Sequence, residues 1–142
     1  MSQSEAAKAT AVFNMKLELV PLPVADVDRA KSFYVDKLGF NADHDVAPGN
    51  GTRVVQLTPP GSACSIVIGI GFGEISTMAA GAVKGLHLVV QDINASREAL
   101  LARGVEVAPV VDLGGILFAR FADPDGNSWL LQEIPAKFRK NA

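Results

Sequence analysis

Few side chains in this chain can do chemistry: it has two histidines and one cysteine in 142 residues. His87 stands inside the apolar run 85–90. An imidazole there can move a proton near neutral pH or hydrogen-bond a ligand's carbonyl or phenol, and it can equally donate to a neighbouring backbone carbonyl. His44 is flanked by Asp43 and Asp45 beside a turn, where a solvated histidine is the ordinary outcome, although His-Asp pairs do sometimes bind metals. Cys64 has no Lys, Arg or His close in sequence to lower its pKa, so an inert thiol is the expectation. With no second cysteine it forms neither an internal disulfide nor a Cys-x-x-Cys metal or redox motif. Gln56 and Arg120 are polar residues inside apolar strands. Arg120, among Leu117, Phe118 and Phe121, invites either anion recognition or a structural ion pair, and the ion pair is the preferred expectation. The glycines at 69, 71 and 73 follow no phosphate-loop spacing and lack the Lys-Ser/Thr signature, so no nucleotide site is indicated.

The scaffold that must position these groups is one compact domain, as the length and a 49% apolar composition imply. Thirteen Lys+Arg against fifteen Asp+Glu give a formal charge of −2. That is no basic footprint for phosphates, so nucleic acid is not an expected partner. The N-terminal residues lack the apolar core of a secretory signal, and the unpaired cysteine suits a reducing cytosol, so a cytoplasmic location is expected. The uncharged stretch 54–73 is about as long as a membrane span, but Pro59-Pro60-Gly61 interrupts it; two buried strands around a turn explain it better. No membrane association is expected.

Along the chain, residues 1–14 read as a flexible tail and the domain starts near Met15. Residues 16–24 form a strand buried on both sides, limited by Pro21 and Pro23 to an edge or bulge. Asp26 is an N-cap, Ala30, Phe33, Tyr34 and Leu38 share one helical face, and Gly39 closes the helix. A short strand bearing Asp43, His44 and Asp45, a turn at 48–51, and strands over 52–58 and 65–70 follow; a flexible linker spans 74–84. The second half repeats the first. Residues 85–90 form a strand, Asp92 is an N-cap, and Ile93, Leu100 and Leu101 share a helix face closed by Gly104. Strands over 105–111, 116–122 and 129–134 complete it, the last two joined by the turn Asp123-Pro124-Asp125-Gly126-Asn127. The order is βαβββ twice, over 15–73 and 85–135, with a tail at 136–142. Each unit is too small to bury its own sheet face, so the two are expected to pair into a larger curved, mixed α+β sheet around a cavity, helices outside.

A doubled βαβββ unit that opens with Val24-Ala25-Asp26-Val27-Asp28-Arg29-Ala30 resembles the vicinal oxygen chelate superfamily, which includes glyoxalase I, bleomycin resistance proteins and extradiol dioxygenases. Phe33-Tyr34-Val35-Asp36-Lys37-Leu38-Gly39-Phe40, Leu100-Leu101-Ala102-Arg103-Gly104-Val105 and Asp123-Pro124-Asp125-Gly126-Asn127 carry the resemblance, over about residues 16–135. It implies a metal held by His or Glu from four strands. Those positions fall here at Leu19, at Gly85, at Leu130, and at Val67 or, shifted by two, Ser65. None is a strong ligand, so a metal-free site without a cofactor is expected.

The same frame puts His87, two residues past Gly85, on the concave face, together with Ser128, Leu130 and Gln132 of the last strand. Trp129 then points toward a helix, where its N–H needs a partner. Leu19, Gln56, Ser65, Val67, His87, Ser128, Leu130 and Gln132 are the candidate ligand-binding residues, with His87 the candidate catalytic one. The resemblance implies a cavity that binds a small organic molecule, an antibiotic or aromatic metabolite, in a homodimer. The alternative is a lyase, isomerase or dioxygenase-type enzyme using His87 or an off-pattern metal.

Overall fold

The computed structural model describes residues 12–138. Of the two expected tails, residues 1–11 and 139–142 lie outside the described residues.

Each half builds its own four-stranded mixed sheet. The first contains β1 (Leu19–Pro21), β2 (Asn41–Gly49), β3 (Thr52–Thr58) and β4 (Ser65–Ile70) in the order β1-β4-β3-β2. The second contains β5 (Leu86–Val89), β6 (Val111–Leu113), β7 (Ile116–Ala122) and β8 (Ser128–Glu133) in the order β5-β8-β7-β6. β1 runs parallel to β4 and β5 parallel to β8, while the other pairs are antiparallel. The stretch 54–73 is thus two strands around a turn, and no described helix is long and apolar enough to cross a membrane.

The helices begin where the sequence marks them. Asp26 accepts from Arg29 N at 3.1 Å to start α1 (Val27–Ser32), and Asp92 accepts from Ala95 N at 3.0 Å to start α2 (Ile93–Ala102). α1 continues as a π-helical turn, Phe33–Lys37, in which Leu38 N reaches back five residues to Phe33 O. The wider turn accompanies burial of both Phe33 and Tyr34. At the end of α2 the Val105 N–H reaches back to Leu100 O across Gly104, whose φ of +81° only glycine adopts without strain.

One core joins the modules. Ala30 and Tyr34 of the first helical segment, Ile66 and Ile68 of β4, Ile93 and Leu100 of α2, and Trp129 and Leu131 of β8 all belong to it. Trp129 finds the partner its N–H requires, donating to the Tyr34 hydroxyl at 2.9 Å; Tyr34 in turn donates to Asp123 at 2.8 Å.

Three local expectations are corrected. Leu17 and Leu19 are exposed while Leu22 and Val24 are buried, so the first strand is covered on one face only, the other lying on the open side of the sheet. Leu101 is exposed, because it stands about 80° round the helix from Ile93. Residues 105–110 are not a ladder strand, although Val105 and Val107 are buried. Arg97 donates to the carbonyls of Val107 and Ala108, occupying acceptors that a strand partner would use.

The linker is tied down rather than loose. It contains a 3-10 turn (Glu74–Thr77) with Ile75 buried. Gly81 N donates to Pro23 O, and Asn127 Oδ1 accepts from Val83 N. Gly81 has a φ of +82°, and a Cβ there would lie 2.1 Å from Asp125 O. Gly81→Ala is therefore expected to destabilise the fold by about 2–4 kcal/mol, combining left-handed strain with a backbone clash. Thermal unfolding should show a fall of several degrees or more, and an unchanged melting temperature would refute both the strain and the clash.

Candidate functional site

Strand alternation separates the core face of the second sheet from its open face. Trp129 and Leu131 enter the core from β8, whereas Leu130 and Gln132 remain half-buried on the opposite face. On β7, Ala119 and Phe121 are buried while Arg120 is exposed; on β5, His87 and Val89 are exposed. Register aligns these open-face residues in rows. His87 pairs with Leu130 and Leu130 with Arg120, and in the next row Val89 pairs with Gln132, Gln132 with Phe118 and Phe118 with Val111. The result is a groove of about 340 Å³ in which Pro109, Val111, Leu113, Phe118 and Leu130 supply apolar surface and His87 and Arg120 the polar groups.

His87 is held in place. Its Nδ1 lies 2.6 Å from Gln132 Oε1, and its ring meets Phe118 edge-on at 5.8 Å. An amide oxygen only accepts, so Nδ1 carries the proton and, in the neutral ring, Nε2 keeps a lone pair for a ligand hydroxyl or N–H. Among the described residues no carboxylate hydrogen-bonds the ring, as one does for the histidine of a Ser-His-Asp triad.

The remaining candidates divide between the two sheets. Ser128 is buried and its hydroxyl accepts from Gly85 N at 2.8 Å, a structural role. Leu19, Gln56, Ser65 and Val67 belong to the first sheet, where Leu19 pairs with Ser65 and Gln56 with Val67. Gln56 and Thr58 both donate to Asp43, on the bulged edge strand β2. The Thr58 proton is used there, so Ser65 must donate to Thr58. These hydrogen bonds, chiefly from Thr58 and then Asn41, hold the Asp43 carboxyl below its ordinary range. Ser65 and His87 do meet, across a cleft of about 260 Å³ also lined by Leu17 and Cys64. His44 is exposed on β2 opposite Gln56.

Arg120 overturns an expectation, because it makes no ion pair among the described residues. Sequence reasoning also passed over Phe118, Val111 and Asp43. A signal for the first of these existed: a tight turn over 123–127 that pairs Ala122 with Ser128 also pairs Arg120 with Leu130 and Phe118 with Gln132. Asp43 had none, since a bulge between Ala42 and His44 sets its direction.

The four positions that the resemblance implies for metal ligands do not fit a divalent cation. Leu19, Val67 and Leu130 are hydrocarbon and Gly85 has no side chain; the shifted alternative, Ser65, already hydrogen-bonds Thr58. Among the described residues no three His, Cys, Asp or Glu side chains gather.

Residues 15–131 match the family model described as the Glyoxalase/Bleomycin resistance protein/Dioxygenase superfamily. Among solved structures, TnmS3, an antibiotic binding protein from Streptomyces sp. CB03234, is 33% identical, with a TM-score of 0.76 over 87% of this chain and 98% of its own. A glyoxalase/bleomycin resistance protein from the same organism is 35% identical, with a TM-score of 0.69 over 82% and 98%. A superfamily member from Sphaerobacter thermophilus DSM 20745 is 29% identical, with a TM-score of 0.73 over 84% and 98%. No curated protein matches. The doubled βαβββ architecture, the family match over most of the chain and these likenesses together establish that the chain belongs to the glyoxalase/bleomycin resistance protein/dioxygenase superfamily.

Proposed function

We propose that this protein binds a small, mostly apolar organic molecule, an antibiotic or aromatic metabolite, in the groove of its second sheet and holds it without transforming it. The observation that carries this reading is the alignment of Leu130 and Phe118 with His87 in one open, largely apolar surface. Its volume is at the small end of the range for small-molecule sites. Binding would be driven by desolvation of apolar and aromatic surface, with His87 Nε2 accepting one directional hydrogen bond. The likeness to an antibiotic binding protein supports the same class of ligand. Binding is preferred over catalysis because His87 is steadied by an amide rather than a carboxylate.

The test is calorimetric titration with 2-naphthamide, a neutral bicyclic probe, alongside thermal unfolding. The expected result is saturable binding with a raised melting temperature, since a ligand of the native state stabilises it. No binding of either 2-naphthamide or its carboxylate counterpart 2-naphthoate, up to their solubility limits, would overturn the reading.

A cytoplasmic homodimer completes the proposal. Val12, Phe13, Met15, Leu17 and Leu19 are all exposed, an apolar strip that a second copy of the chain would cover. Sedimentation equilibrium is expected to return twice the mass of one chain, and a single-chain mass at micromolar concentration would exclude the dimer.

A further inference from the structure

We infer that the occupant of the second-sheet groove carries an anionic oxygen group, such as a carboxylate, on its apolar body, and that Arg120 is the residue that selects it. The inference rests on the binding reading above and adds the charge of the ligand.

Arg120 is the unengaged arginine of the described chain. Arg29 pairs with Asp125 at 3.0 Å and Arg53 with Asp28 and Asp45, while Arg97 donates to backbone carbonyls of residues 107 and 108 and Arg103 to Lys37 O. Arg120 has no side-chain hydrogen bond or ion pair among the described residues, although its backbone is fixed in the ladder opposite Leu130 and accepts from Ala108 N at 2.8 Å.

No carboxylate among the described residues pairs with it. Asp112 lies between Val111 and Leu113, so alternation turns it to the other face, and its carboxylate accepts from Gly115 N at 2.8 Å. Glu133 likewise points away, accepting from Ile93 N at the start of α2. The groove therefore holds one uncompensated positive charge over apolar surface. A carboxylate brought there is attracted more strongly than in open water and is met by a planar, bidentate donor. His87, whose available nitrogen accepts, does not duplicate this role.

The experiment compares 2-naphthoate with 2-naphthamide, matched in shape and different in charge, on wild-type protein and Arg120→Gln. Wild-type protein is expected to bind the carboxylate at least about tenfold more tightly, which is ~1.4 kcal/mol. The preference should shrink on raising salt from about 50 to about 300 mM, because the charges are partly screened there. In Arg120→Gln the ratio of the two dissociation constants is expected to fall close to one. Arg120 is exposed, so an unchanged melting temperature checks that the variant is folded. If wild-type protein binds both probes equally, or the variant keeps the preference, the anion inference fails while the groove reading stands. If neither probe binds, the groove reading fails and takes this inference with it.

Discussion

Replacing Asp123 with alanine is expected to destabilise the protein by about 3–5 kcal/mol, because four donors converge on one buried carboxylate. The donors are the Tyr34 hydroxyl at 2.8 Å, Asn127 Nδ2 at 2.8 Å, Asp125 N at 2.9 Å and Asn127 N at 3.0 Å. Asp123 is 5% exposed and Asn127 fully buried, so water cannot replace what is lost. Asn127 also donates to Pro23 O, and Trp129 to Tyr34. The network therefore ties the two modules together as well as shaping the turn. Tyr34→Phe keeps the carboxylate and removes one hydroxyl, so a smaller loss of about 1–2 kcal/mol is expected from denaturant unfolding. Equal losses in the two variants would refute this hierarchy.

The same network makes an alkaline prediction. Burial, then the negative charge of Asp123, pushes the Tyr34 phenol far above its ordinary range. A group whose pKa is raised in the folded state stabilises fully below its unfolded pKa, near 10 for tyrosine, and that stabilisation is lost as pH rises above it. Tyr34 is the chain's single tyrosine, so tyrosinate absorbance reports this site alone. It is expected to appear only as the protein unfolds, together with loss of the Trp129 tertiary signal. Tyrosinate forming near pH 10 in folded protein would show that the phenol is not held this way.

Leu130→Asp is expected to weaken 2-naphthamide binding by about 100-fold or more, ~3 kcal/mol, while the fold persists. Leu130 is half-buried at the centre of the groove, between His87 and Arg120. A carboxylate there must either shed its water or exclude the probe. Leu19→Asp is the matched change on the first sheet, where Leu19 is exposed beside Ser65. Were Leu19→Asp to abolish binding and Leu130→Asp to leave it intact, the ligand would lie on the first sheet and not in the second-sheet groove.

Much of this was legible in the chain. Both N-caps, both closing glycines and the strands at 52–58, 65–70 and 116–122 coincide with the observed elements, because each is set by local chemistry: a capping carboxylate, a positive-φ residue, a β-branched run. Alternation counted from the ligand positions that the resemblance implied also put His87, Leu130 and Gln132 on one face, and the register pairs His87 with Leu130. What sequence periodicity cannot report is what covers a face or completes a hydrogen bond. Residues 105–110 look like a strand by composition, yet Arg97, on the neighbouring helix, takes their carbonyls. Leu17 and Leu19 look like core, yet the side of the sheet they occupy is left open. Gln56 and Ser65 look free for a ligand, yet a bulge turns Asp43 toward the hydrogen-bonded set that engages them. Arg120, expected in an ion pair, has none among the described residues, Asp112 and Glu133 being engaged by the backbone N–H groups of Gly115 and Ile93. Apart from residues 105–110 and the exposed Leu17, Leu19 and Leu101, the sequence by itself determined the elements, their order and the buried stripes. Tertiary structure alone decided which polar groups satisfy one another and which are left for a ligand, since that depends on residues far apart in the chain arriving within hydrogen-bonding distance.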